Sequence, residues 1–275
     1  MEPGKIEASI KLEPTTIGQM VNQLPTGKNV EGSLERGFEF LPMNMGLRKR
    51  VGALQGRKDL RGRAGKMICF VLGKSLKTLC GQDMRQKSDD ERALMVAQLP
   101  VGDVFYLAFC RYHHAHKKGF PLGQFECGTC GASLASVRVD ISTMELSKVP
   151  DGVDGSKMSC HVGLVDGFDF NGDRYEEIRL KSPRWLDFLW KLTDEQANNG
   201  PLIESVLIEA SVSGTNIKEG RLAEQAIDEL TPDDVDLISK GLDAVVPQVD
   251  AHVEFECPSC GSETTIEVPW HVSGF

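Results

Sequence analysis

The chain has no hydrophobic run long enough to cross a bilayer. Its longest apolar stretches, Met67 to Leu72 and Val104 to Cys110, fall far short of the ~20 residues a spanning helix requires. Nor does it begin with a basic start followed by an apolar stretch, because the opening reads MEPGKIEASIKLEP; a secretory leader has a different pattern. These absences predict a soluble protein of the cytoplasm with no membrane contact. Catalytic signatures are missing too: there is no GxSxG and no HExxH. Gly27-Lys28 and Gly65-Lys66 begin like phosphate loops, but neither has a Gly five residues earlier or a Ser or Thr after it. In the segment Asp169-Phe170-Asn171-Gly172-Asp173 the Gly is fourth, where a calcium loop needs it sixth, so the segment reads as a hairpin turn. An enzyme is the least supported class.

What is present is an ordinary core and an unusual set of thiols. With 275 residues and 40% apolar content, the chain can form one large domain or two smaller ones. Eight cysteines in a cytoplasmic protein read as thiols and not as a disulfide framework. Residues 125–130 are FECGTC and residues 255–260 are FECPSC, each followed by Gly. Two thiolates on a tight turn can face one cation at ~2.3 Å, and zinc takes four such ligands in a tetrahedron. Cys127, Cys130, Cys257 and Cys260 therefore predict one structural zinc per chain. A redox pair is the competing reading, but redox pairs open a helix after a strand. Here apolar residues alternate on both sides of each knuckle: Phe120, Leu122, Val137, Val139 and Ile141 around the first, Val253, Phe255, Ile266, Val268 and Trp270 around the second. The expected layout is strand, knuckle, strand, as in a zinc ribbon. Unligated thiols are the remaining alternative. The lone Cys69, Cys80, Cys110 and Cys160 have apolar neighbours and read as core.

The interval between the knuckles suggests a doubled chain. Zinc ribbons usually close after a few tens of residues, yet 126 residues separate Cys130 from Cys257. Asp103 precedes Cys127 by 24 residues and Asp234 precedes Cys257 by 23, with Val104 and Val235 in step. Each reads as a helix start leading to a loop and a knuckle. Upstream, a turn at Leu24-Pro25-Thr26-Gly27-Lys28 leads to the apolar run Phe38 to Leu41, and the Asn171-Gly172 turn leads to a strand at Tyr175 to Leu180. Helices are expected at Leu47 to Leu54, Lys66 to Leu79, Pro183 to Leu192 and Pro201 to Ala210. The predicted fold is α+β: a tail at 1–18, then two similar hairpin-plus-helices halves at 19–141 and 142–275, joined by the zinc-ribbon-like four-cysteine site.

Charge divides along the same line. Residues 1–140 carry 21 Lys and Arg against 14 Asp and Glu, a net of +7; residues 141–275 carry a net of −16. The two ends can meet partners of opposite sign, or both can be solvated surface. The densest basic stretch is Leu47 to Lys66, with Arg48, Lys49, Arg50, Arg57, Lys58, Arg61, Arg63 and Lys66 against Asp59 alone. Such a run can neutralise phosphates, but it has no aromatic residue to stack on bases. It reads as a candidate partner-binding surface for an acidic protein, with nucleic acid or a solvated loop as alternatives. His113, His114 and His116 either hold a second metal or form a polar helix end, beside Lys117 and Lys118 where positive charge suits the helix terminus.

An early LPTGK hairpin, helices, a CxxC, a second hairpin-and-helix half and a terminal CPSCG followed by a strand into VPWHVSGF together resemble the baseplate hub assembly proteins of T4-like contractile-tailed phages. The resemblance covers the chain from about residue 19 onward and leaves out Met1 to Gly18 and the basic run. It implies a non-enzymatic tail protein that builds, or belongs to, the baseplate in the host cytoplasm and the virion tail. Zinc at the two knuckles and other tail or baseplate proteins as partners are implied with it. A zinc-ribbon adaptor that binds nucleic acid in transcription or RNA processing is the alternative function.

Overall fold

The computed structural model describes residues 1–115, 119–170, 172–212 and 224–268. Two short strands come first, β1 (Ile6–Ala8) and β2 (Glu13–Thr16). The hairpin of β3 (Gln23–Val30) and β4 (Ser33–Phe40) follows. Its turn lies at Glu31 and Gly32, both with positive φ (51° and 88°), as a tight hairpin turn requires. The expected turn at Leu24 to Lys28 is instead part of β3. There the pairing register shifts between Gln23 and Lys28, and Gly27 at φ +79° takes the kink that an L side chain would resist.

Helix α1 (Met45–Gly52) is capped by Asn44, whose side chain accepts from Leu47 N. Helix α2 (Ala64–Ser75) runs straight into β5 (Leu76–Leu79) and β6 (Gln82–Asp83). The helix expected over Lys66 to Leu79 therefore ends four residues early. Leu76 and Leu79 are both buried and pair with Phe40 and Phe38 of β4, a register shift between Glu39 and Phe40 letting both face inward, and this strand pairing overrides the helical period. Helix α3 (Asp89–Ala97) opens with a capping box, Ser88 with Glu91, and three acidic residues in its first turn. Helix α4 (Val101–Ala115) lays Val104, Leu107 and Arg111 inward.

The knuckle hairpins are β7 (Phe120–Glu126) with β8 (Ser133–Val139), and β12 (His252–Glu256) with β13 (Glu263–Glu267). Between them lie β9 (Glu145–Lys148), β10 (Cys160–Phe170) and β11 (Asp173–Leu180). Four helices follow: α5 (Asp194–Ala197), α6 (Gly200–Ser211), α7 (Glu224–Ile227) and α8 (Pro232–Asp243). Phe170 pairs with Asp173 across the expected hairpin turn, of which Asn171 lies outside the described residues. Only a short 3-10 turn, Trp185–Asp187, forms where a helix was expected over Pro183 to Leu192. The apolar residues there are spent on the core: Trp185 is fully buried, its Nε1 donates to Gly65 O at 2.8 Å, and its backbone N donates to Leu99 O.

Residues 1–18, set apart as a tail by sequence, carry two paired strands. β1 pairs with β10 and β2 with β9, and the Met1 amino group meets Glu177 at 3.0 Å. All these pairings are antiparallel, and the architecture is a mixture of helices and small sheets. A larger core surrounds α2 and α4 and takes in Val137 and Val139 from one knuckle hairpin and Val253, Ile266 and Val268 from the other. A smaller core lies between the β10–β11 hairpin and α8.

Several contacts occur twice. Leu41 N donates to Ser75 O and Lys181 N to Ser211 O. Both serines are fully buried and bond back one turn, Ser75 to Val71 O and Ser211 to Leu207 O. Phe40 pairs with Leu76 and Leu180 bridges to Val212. Thr26 N and Gly27 N donate to Asp103 at 2.8 and 3.2 Å; Val165 N and Gly167 N donate to Asp234 at 2.6 and 3.0 Å. Both carboxylates are wholly buried.

Candidate metal centre

Each knuckle is a tight turn between two strands that fixes its own sulfurs. In the first, Gly131 N donates to Cys127 O at 2.8 Å and Cys127 N to Ala132 O at 3.0 Å; in the second, Gly261 N donates to Cys257 O at 2.8 Å and Cys257 N to Ser262 O at 2.9 Å. Gly131 (φ +68°) and Gly261 (φ +72°) supply the left-handed backbone that closes each turn. The Gly after each CxxC is thus explained by the turn.

Folding brings the two knuckles face to face. The four sulfurs of Cys127, Cys130, Cys257 and Cys260 lie within 4.8 Å of one another. Cys127 Sγ is 3.9 Å from Cys260 Sγ, and Cys130 Sγ is 3.9 Å from Cys257 Sγ. A tetrahedron with ~2.3 Å metal–sulfur bonds has edges of ~3.8 Å, so the spacing fits one four-coordinate metal and is far too long for a disulfide. Cys127 and Cys257 are buried while Cys130 and Cys260 reach the surface. Two residues before each knuckle, Phe125 and Phe255 meet edge to face with ring centroids 5.5 Å apart, a contact between the two hairpins. All four positions of such a site are filled by protein, leaving none for water or substrate, so its chemistry is structural.

The electrostatic setting differs between the thiols. The Ser262 hydroxyl is 3.5 Å from Cys127 Sγ and 3.1 Å from Cys260 Sγ; its hydrogen bonding lowers both thiols, Cys127 to about 6. Cys130 takes a bond from the Ala132 backbone that favours its thiolate, yet crowding by Cys260, Cys127 and Cys257 pushes it up to about 12. Four thiolates this close would repel one another, and a cation among them would relieve that repulsion. The other cysteines behave differently: burial raises Cys69 and Cys160 and lifts Cys80 and Cys110 to about 12. They are inert thiols, three buried and Cys110 half-buried.

The family model for the T4 bacteriophage base plate protein matches residues 75–273, well over half of the chain and including both knuckles. This chain belongs to that base plate family. No curated protein and no solved structure matches it. The family match starts at Ser75, so the first hairpin and the basic run precede it.

In this base plate protein the basic run divides into two groups. Arg57 is held by Asp59 at 2.9 Å and Asp90 at 3.1 Å and its guanidinium lies 4.2 Å above the Phe70 ring. Lys66 reaches Asp59 at 3.4 Å and approaches the Trp190 ring at 5.5 Å. Hydrogen bonding from Arg57 holds the Asp59 carboxyl at about 2. Arg48, Lys49, Arg50, Lys58, Arg61 and Arg63 are exposed. His113 lies in the last turn of α4, and the His114 ring is 5.8 Å from Phe40; His116, Lys117 and Lys118 lie outside the described residues, as does Trp270. The four thiols are the one metal-ligand cluster among the described residues. Sequence reasoning matched Asp103 with Asp234 but missed what they hold, and it passed over Arg111, a charged residue in an apolar helix face.

Proposed function

We propose that this chain is a non-enzymatic structural or assembly protein of a contractile-tail baseplate, in which one zinc held by Cys127, Cys130, Cys257 and Cys260 joins two similar halves, 19–141 and 142–275. The observation that carries this reading is the family match across both knuckles, taken with four sulfurs at tetrahedral spacing. The recurring contacts at Ser75 and Ser211 and at Asp103 and Asp234 support a duplicated unit. Each unit would supply two thiolates and neither could hold the metal alone. Apparent zinc affinities of roughly 10–16 kcal/mol in small domains are comparable to a whole domain's stability, so such a staple would decide whether the halves stay together.

Other tail or baseplate proteins are the proposed partners, met during assembly in the host cytoplasm and in the virion tail. The exposed cations Arg48, Lys49, Arg50, Lys58, Arg61 and Arg63 are the proposed docking face, suited to an acidic protein surface. The same cations carry the second reading, a nucleic-acid adaptor. No helix among the described residues is long and apolar enough to cross a membrane. A tagged pull-down from producing cells, washed at moderate salt and assayed for protein and nucleic acid, separates the readings. Stoichiometric tail proteins support the baseplate role; nucleic acid that leaves as salt rises, without tail proteins, overturns it.

A further inference from the structure

Arg111 is 1% exposed on α4, and among the described residues its Nε and Nη1 have no hydrogen-bond partner. Its Nη2 donates to Met43 Sδ at 3.1 Å, and thioether sulfur is a weak acceptor. The Phe40 ring lies 5.8 Å from the guanidinium. Among the described residues no carboxylate forms an ion pair with it, and the one charge that bears on it is another cation, Arg48. Burial, aided by Arg48, lowers its pKa to about 10, which still leaves it charged at neutral pH. Buried polar groups are almost always satisfied, and a buried charge left unpaired is among the costliest features a fold can hold.

We propose that Arg111, with Arg48 beside it, receives a carboxylate carried by an acidic segment of a partner tail protein. This rests on the docking reading of the basic face and names the point where that contact would be anchored. Arg48 belongs to the exposed cations of that face, and the half-buried Met43, whose sulfur meets Nη2, marks the approach to Arg111. Met43 lies on the short connection between β4 and α1, and a methionine side chain changes rotamer at little cost. Displacing its sulfur frees Nη2 to complete the two-pronged N–H fork that binds a carboxylate end-on. A slender acidic side chain suits this position better than a phosphodiester chain, which would spread over exposed cations and stack its bases on open aromatic faces. The Phe40 ring beside the guanidinium is buried.

The test compares melting of the full chain with that of two variants. Arg111→Met removes the unpaired charge at similar volume and should raise the melting temperature by about 2–4 °C. Arg48→Glu puts a carboxylate on the same approach and should also raise it. A glutamate-rich peptide with blocked ends should stabilise the wild type at constant ionic strength and lose at least half of that shift in both variants. A lower melting temperature in both variants, or an equal peptide shift in all three proteins, overturns the proposal. A larger shift with an oligothymidylate of matched charge overturns the assignment to a carboxylate. The peptide-free melting comparison reads the buried charge alone, so failure here is distinguishable from failure to recover tail proteins.

Discussion

Asp103 and Asp234 hold the same post in two places: each is wholly buried near the start of a helix and accepts two backbone N–H groups from a kinked strand. The strand register shifts at both kinks, between Gln23 and Lys28 and between Gly163 and Phe168. Gly27 (φ +79°) and Gly167 (φ +65°) make the shifts feasible. The carboxylate is therefore a clamp between helix and hairpin, placed 24 or 23 residues before its knuckle.

Replacing either aspartate with alanine leaves two buried N–H groups without acceptors, each costing about 1–3 kcal/mol. Asp103→Ala and Asp234→Ala should each lower unfolding free energy by about 2–4 kcal/mol, as read by urea titration at pH 7. A loss below about 0.5 kcal/mol at both sites would show that the clamps carry no stability.

Asp103 also sets a pH dependence. Burial raises its carboxyl to about 7, against ~3.9 in an unfolded chain. Between these values the folded state keeps a proton that the unfolded state has released. The contribution is therefore complete below about pH 4 and is lost as pH rises to about 7. Asp103→Asn has no such titration, so the stability difference between the two proteins should move in the variant's favour from pH 4 to 7 and stay level above about 8. Carboxyls held low by hydrogen bonds from Arg57 and Arg85, at Asp59 and Asp83, titrate below this window and cancel in the difference. A flat difference from pH 4 to 8 would contradict the assignment.

Deleting residues 1–18 removes the β1–β10 and β2–β9 pairings and the Met1–Glu177 contact. The truncated protein should melt several degrees lower, because the edges of β9 and β10 lose their partners. Unchanged melting of the truncated protein would show that these pairings carry no stability.

Cys257→Ser leaves three thiolates for a four-coordinate site. The variant should lose bound metal and melt about 10 °C lower or more, while Cys69→Ala, at an inert buried thiol, should keep its metal. Equal metal content in all three proteins would remove the four-cysteine site from the account.

The four-cysteine cluster was the most legible part of the chain, since two CxxC-Gly turns between alternating strands leave little freedom. Tertiary context decided the rest. Leu76 to Leu79 has apolar spacing that suits a helix, but β4 offered it an edge. The turn-forming residues Pro25 and Gly27 marked a kink within a strand, because Asp103, 76 residues away from Gly27, required two amides there. Trp185 and Leu189 suggest a helical face, yet Trp185 is tied to Gly65 and Leu99. Arg111 falls on the apolar stripe of α4, seven residues after Val104 and four after Leu107, so its place was legible, but a charge on such a stripe reads first as solvent-facing.

Whether one metal joins the two knuckles is tested most directly by elemental analysis of the full chain purified without chelator. One zinc per chain, lost together with thermal stability when a strong chelator is added, is the predicted result. Metal-free protein with four freely titrating thiols at these positions and an unchanged melting temperature would contradict it.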